Sequence, residues 1–153
     1  MVMPSASHPR TVMGFDFGRV RIGVAIGQEL TATASPLTTL QACRQQPDWE
    51  RITQLIDQWR PALLVVGVPR HVDGSPNAVT AGALRFSRQL HGRYRLTVAT
   101  IDERLSSRAA DTLLPASRKR PGRAAVDATA AMLILESWFN QQRIENTGGT
   151  ANT

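Results

Sequence analysis

The sequence predicts an α/β domain whose mixed sheet, opened by an antiparallel hairpin and extended by parallel strands, carries helices on both faces. Three observations predict it. Two short apolar segments near the start, Val12-Met13-Gly14-Phe15-Asp16-Phe17 and Ile22-Gly23-Val24-Ala25-Ile26, flank a turn at Gly18-Arg19 and read as a hairpin. The run Leu63-Leu64-Val65-Val66-Gly67-Val68 is apolar throughout, as suits a strand covered on both faces. Segments of helical spacing lie on either side of that run, and a strand–helix–strand step of this length calls for parallel pairing through a right-handed crossover.

The elements follow in order. Residues 1–11 hold Pro4, Ser5, Ser7 and Pro9, and residues 142–153 form a polar Asn/Thr/Gly tract, so both read as flexible tails around a single domain at 12–141. Strands at 12–17 and 22–26 are followed by a third at 35–40, where Pro36 is tolerated at an edge. Pro47-Asp48 opens a helix with Trp49, Ile52, Leu55, Ile56 and Trp59 on one face, and Pro61 ends it. After the strand at 63–68 comes a loop with Asp73-Gly74 as its turn. Val79, Ala83, Phe86 and Leu90 mark a second helix, and residues 96–101 form another strand. A helix at 106–114 stops at Pro115. The last helix, 126–141, is apolar along Ala130, Leu133, Ile134 and Phe139.

Composition bounds the function. A chain of 153 residues, 42% hydrophobic, fits one domain with a real core. A lone cysteine, Cys43, excludes an internal disulfide framework and a cysteine-rich zinc site. No apolar run approaches the ~18 residues of a membrane span, and the first ten residues carry no secretion-type apolar region. A cytoplasmic protein without a membrane partner is expected. The net charge of +6 favours polyanions, because each neutralised phosphate releases counterions. With only 5% aromatic residues, phosphate contact suits this chain better than a base-stacking platform.

Three acids stand out. Asp16 lies inside the first strand, between two phenylalanines, where aspartate is depleted. A carboxylate on a rigid strand is well placed to hold a metal, although an exposed outer-face aspartate would look the same. Glu103 stands just past the strand at 96–101, and ligands of α/β sheets collect outside the carboxyl ends of parallel strands. Asp102 adjoins it, but neighbouring side chains of extended chain point apart, so one of the two faces a site there. Asp127 opens the last helix, where a carboxylate also complements the helix dipole. Together they could converge on Mg²⁺ or Mn²⁺ and support phosphodiester hydrolysis. Arg19 and Arg21 flank the hairpin turn beside Asp16, and Arg118, Lys119, Arg120 and Arg123 precede Asp127. These cations are either a solvated face or a hold on a phosphate backbone. His71 and His91 are expected to be exposed.

Four segments, in order, carry a resemblance. They are Phe15-Asp16-Phe17-Gly18-Arg19-Val20-Arg21-Ile22-Gly23-Val24-Ala25; Val65-Val66-Gly67-Val68-Pro69 with Asp73-Gly74-Ser75; Asp102-Glu103-Arg104-Leu105-Ser106-Ser107; and Val126-Asp127-Ala128 leading into Ala130-Ala131-Met132-Leu133-Ile134-Leu135. Over residues 12–141 the chain resembles the pre-16S rRNA nucleases, which are YqgF-type, Holliday-junction-resolvase-like proteins. The resemblance implies a ribonuclease-H-like fold. It also implies a hydrolase acting on structured RNA, with Asp16, Glu103 and Asp127 as catalytic, metal-binding carboxylates. For a nucleic-acid substrate, Arg19, Arg21, Arg104, Arg118, Lys119, Arg120 and Arg123 are the expected contacts. Many members carry lysine where this chain has Val20, and the stretch between Leu114 and Asp127 looks shorter than in some relatives.

The implied partner is pre-16S rRNA, within ribosomal particles or free, with branched DNA as a second substrate class. Two other readings differ in kind. A catalytically silent RNA-binding assembly factor would use the basic surface alone. A phosphotransferase would use Asp16-Phe17-Gly18 as a phosphate loop, but such enzymes need two domains of this type around the nucleotide.

Overall fold

The computed structural model describes residues 10–43, 46–71, 73–103 and 123–151. Strands β1 (Thr11–Phe17), β2 (Arg21–Gln28) and β3 (Thr33–Cys43) are followed by a two-residue strand β4 (Gln46–Pro47) and helix α1 (Trp49–Trp59). Then come β5 (Leu63–Val68), α2 (Thr80–Tyr94), β6 (Thr97–Asp102) and a long helix α3 (Arg123–Ala151). The six strands form one sheet in the order β4-β3-β2-β1-β5-β6. β1, β2, β3 and β4 pair antiparallel in succession, while β5 pairs parallel with both β1 and β6. β1 is therefore central, with hairpin strands on one side and crossover strands on the other.

Alternation along the strands builds two cores. Met13, Phe15, Ile22, Val24, Leu64 and Val66 face α1 and α2, meeting Ile52, Leu55, Phe86 and Leu90. Val12, Ala25, Leu63, Val65 and Ile101 face α3, meeting Ala131, Ile134, Leu135, Trp138 and Phe139. Helices on both faces leave β5 buried along its whole length, which accounts for its unbroken apolar run. Asp48 caps α1 by accepting a hydrogen bond from the Arg51 N–H at 3.1 Å, and Arg60 ends that helix in the left-handed region. Pro36 lies in β3 opposite Ala25, beside a register shift that places one extra residue between Pro36 and Thr38.

Several boundaries move. Thr11, expected in the tail, pairs with Gln28, and β2 and β3 run longer than their apolar centres. A ladder continues as long as backbone partners are available, whatever the side chains. β4 was not anticipated from two residues. The last helix starts at Arg123 rather than 126 and runs to Ala151, through residues expected as tail. Arg143, Ile144 and Glu145 carry no breaker, and adding a residue to an existing helix costs little. Arg143, Ile144 and Glu145 are exposed on that helix. The helix expected at 106–114 lies outside the described residues. No helix among the described residues is long and apolar enough to cross a membrane.

Candidate active site

Asp16 is on the α3 face of β1, two residues beyond Gly14 and four beyond Val12. Its cross-strand partners are Gly23 on β2 and Gly67 on β5. The carboxylate thus stands between two positions without side chains, and each vacancy is used. A Cβ at Gly23 would lie 1.9 Å from the backbone oxygen of Asp127, so α3 rests directly on β2 there. A Cβ at Gly67 would lie 2.9 Å from Cγ of Glu103 and 2.4 Å from Cδ1 of Ile134. One glycine admits the helix that carries Asp127, and the other admits the Glu103 side chain.

Asp16 and Glu103 are hydrogen-bonded to each other. Burial, the hydrogen bond to Asp16 and the charges of Asp16 and Asp102 push the Glu103 carboxyl up to about 9. Burial and the charge of Asp127 also raise Asp16, while the hydrogen bond from Glu103 opposes that rise. Two carboxyls this close titrate as a coupled pair, with Glu103 pushed the further up. Asp102 ends β6 opposite Val68, and its charge also acts on Glu103.

Asp127 is held differently. The Arg21 guanidinium donates from Nε to its Oδ2 at 2.9 Å, and both side chains are about one-quarter exposed, at 27% and 26%. Asp127 is also four residues inside α3, whose first turn carries no acid. It therefore does not serve the helix-dipole role that its sequence position suggests.

The three predicted carboxylates thus share one end of the sheet, but only Asp16 and Glu103 touch. Among the described residues, no three His, Cys, Asp or Glu side chains are drawn into a ligand cluster. The donor chemistry still fits a divalent cation. Two adjacent, half-buried carboxylates are hard oxygen donors, and magnesium-type sites use one or two such groups plus water and substrate oxygens. Asp16 and Glu103 could hold Mg²⁺ or Mn²⁺, with Asp127 adjacent.

Of the predicted basic contacts, Arg21 is engaged by Asp127. Arg19 turns to the other side of the hairpin, where its exposed Nη2 donates to the Ala78 carbonyl at 3.0 Å. Arg104, Arg118, Lys119 and Arg120 lie outside the described residues. Arg123 belongs to the start of α3 rather than to a loop, and its side chain is outside the described set. His71 and His91 are exposed, the latter with Nδ1 3.0 Å from the Leu96 carbonyl. The Asp73-Gly74-Ser75 motif closes a turn. Asp73 Oδ1 accepts from the Ser75 N–H at 2.9 Å and from its hydroxyl at 2.6 Å, with Gly74 at φ 93°. Sequence reasoning missed Gly23 and Gly67, although a glycine inside a strand signals close approach by another group.

Comparison with known proteins agrees with this fold. The family model described as "RuvX: Holliday junction resolvase" matches residues 10–141. A Nitrosococcus oceani protein named "Putative pre-16S rRNA nuclease" is 50% identical over 141 residues, 92% of this chain and 93% of its own. Proteins of the same name from Pectobacterium carotovorum and Methylococcus capsulatus are 46% and 48% identical, covering 87% and 90% of this chain and 97% and 93% of their own. Among solved structures, Thermus thermophilus RuvC in complex with a Holliday junction substrate superposes with a TM-score of 0.57 at 16% identity, covering 88% of this chain and 96% of that one. The yeast mitochondrial Holliday junction resolvase Ydc2 gives 0.56 at 12%, covering 86% and 78%. The fold is that of the ribonuclease-H-like resolvases.

Proposed function

Because the chain belongs to the RuvX family of Holliday junction resolvases and is a phosphodiester-hydrolysing enzyme, we propose that it is a divalent-metal-dependent nuclease of structured RNA. Its substrate in this reading is the 5′ end of pre-16S rRNA, processed in the cytoplasm during ribosome biogenesis. One observation carries the reading: the half-buried Asp16–Glu103 pair, with Asp127 beside it, at the carboxyl ends of β1 and β6. The RNA assignment draws on the names of relatives at 46% to 50% identity that cover nearly the whole chain.

In this reading Asp16 and Glu103 hold Mg²⁺ or Mn²⁺, and Asp127 completes the acidic set. Bound there, the cation would supply Lewis-acid stabilisation of the phosphodiester and lower the pKa of water. The protein's own groups do the rest. β1 holds Asp16 rigidly, and Gly67 lets Glu103 approach it, so the two carboxyls would present their oxygens together to a cation. Arg21 neutralises Asp127 while the pair is protonated, and its guanidinium suits a substrate phosphate once released.

The test is cleavage of a pre-16S rRNA 5′ fragment by purified protein with Mn²⁺, beside Asp16→Asn and Glu103→Gln. Metal-dependent cleavage by the wild type and its loss in both variants supports the reading. Equal activity in wild type and Asp16→Asn, or none in the wild type on any RNA, overturns it. A second reading, cleavage of four-way DNA junctions, is favoured by the family description, and a junction substrate in the same assay decides between them.

A further inference from the structure

On the opposite face of the sheet from the carboxylates, at the same end of β1, lies a cavity of about 170 Å³. Its floor includes Phe17 and Gly82, and its rim carries Arg19, Arg85, Gln46 and Gln89. Phe17 directly follows Asp16, and alternation sends the two side chains to opposite faces. The ring is only partly buried. It is braced by Phe86, with centroids 5.2 Å apart, and by Gly82, where a Cβ would come within 2.9 Å of Cε2.

The hairpin turn joins the two places. Arg21 leaves it toward Asp127 on the α3 face, and Arg19 leaves it toward Ala78 at the cavity. The two arginines that look like one basic cluster in the sequence are thus divided between the carboxylates and the cavity.

We infer that this cavity binds an unpaired nucleotide of the RNA strand whose backbone reaches the Asp16–Glu103 pair. The inference rests on the nucleic-acid reading above and adds a recognition site to it. Single-stranded RNA is read by stacking a splayed base on an aromatic ring or guanidinium plane and by hydrogen bonds to its edges. Phe17 supplies the ring, and the amides of Gln46 and Gln89 offer both donors and acceptors. Arg19 and Arg85 supply charge for the adjoining phosphates. One ring serves one nucleotide, so the low aromatic content is no obstacle. A wholly paired helix keeps its bases stacked and leaves the cavity unused.

The test measures binding by fluorescence anisotropy in EDTA, so that it does not depend on catalysis. The probes are a labelled single-stranded RNA dodecamer and a blunt RNA duplex of equal length. Arg85 is exposed and Gln89 partly exposed, so Arg85→Ala and Gln89→Ala should leave the thermal melt unchanged. The expected result is a loss of about tenfold in single-strand affinity for the double variant, with duplex affinity within about twofold of wild type. Unchanged single-strand binding, or an equal loss on both probes, overturns the inference. Absence of cleavage by the wild type would instead defeat the nuclease reading, and that is scored separately in the activity assay.

Discussion

Arg21 on β2 and Asp127 on α3 form an ion pair, Nε to Oδ2 at 2.9 Å, that fastens the hairpin to the last helix beside the half-buried carboxylate pair. The guanidinium occupies a carboxylate that the family resemblance assigns to metal binding. A cation drawn to Asp127 would therefore compete with Arg21 for that carboxylate.

That competition is measurable. Arg21→Ala should tighten Mn²⁺ binding, read by calorimetry, by roughly fivefold, the equivalent of a partly exposed ion pair worth about 1 kcal/mol. Cleavage at saturating Mn²⁺ should fall, because a phosphate contact is lost. Weaker Mn²⁺ binding in the variant would show that Arg21 orients Asp127 rather than competing for it.

Stability without metal should depend on pH with a definite sign. Glu103 titrates at about 9 in the folded protein against 4.5 for the unperturbed group, so the folded state binds the proton more tightly. The contribution is fully present below about 4.5 and is lost as pH rises through about 9, and Asp16, also raised, acts in the same direction. Thermal melts in EDTA should show falling stability across that window. In Glu103→Gln, which keeps the hydrogen bond without titrating, the slope should flatten. A slope of wild-type steepness in Glu103→Gln would refute the assignment.

Metal should reverse the alkaline loss. At pH 8, Mn²⁺ at about 100 times its Kd should stabilise the wild type by about 2.7 kcal/mol. For a domain of this size that is a rise in Tm of several degrees. EDTA should abolish the rise, and Asp16→Asn should show little of it. Equal stabilisation of wild type and variant would place the cation elsewhere.

The two glycines that flank Asp16 should differ in their response to a methyl group. At Gly67 the added Cβ meets flexible side-chain atoms of Ile134 and Glu103, and overpacking of this kind costs about 1–3 kcal/mol. At Gly23 it meets the backbone of Asp127 at 1.9 Å, so the start of α3 must move. Gly23→Ala should therefore be the more damaging in urea unfolding. Gly67→Ala should lose Mn²⁺ affinity through displaced Glu103 while remaining folded. The reverse order of stability would contradict the packing described.

Much of this protein is legible in the order of its residues. The strand at Leu63–Val68 is marked by its unbroken apolar run, and α1 by apolar spacing between Asp48 and Pro61, because local periodicity records which faces are buried. Asp16 is conspicuous for the same reason: a carboxylate interrupts an apolar strand. What lay beyond local pattern was contact between distant segments. Nothing in the residues around Glu103 says that its carboxyl meets that of Asp16. Nothing around Arg21 says that its partner lies 106 residues away while Arg19 serves the other face. Those facts follow from strand register, which sets Gly23 and Gly67 on either side of Asp16. Periodicity specifies which side of an element is buried. Only the packed sheet and helix decide which groups meet, and with them the coupling of the two carboxyls and the division of charge.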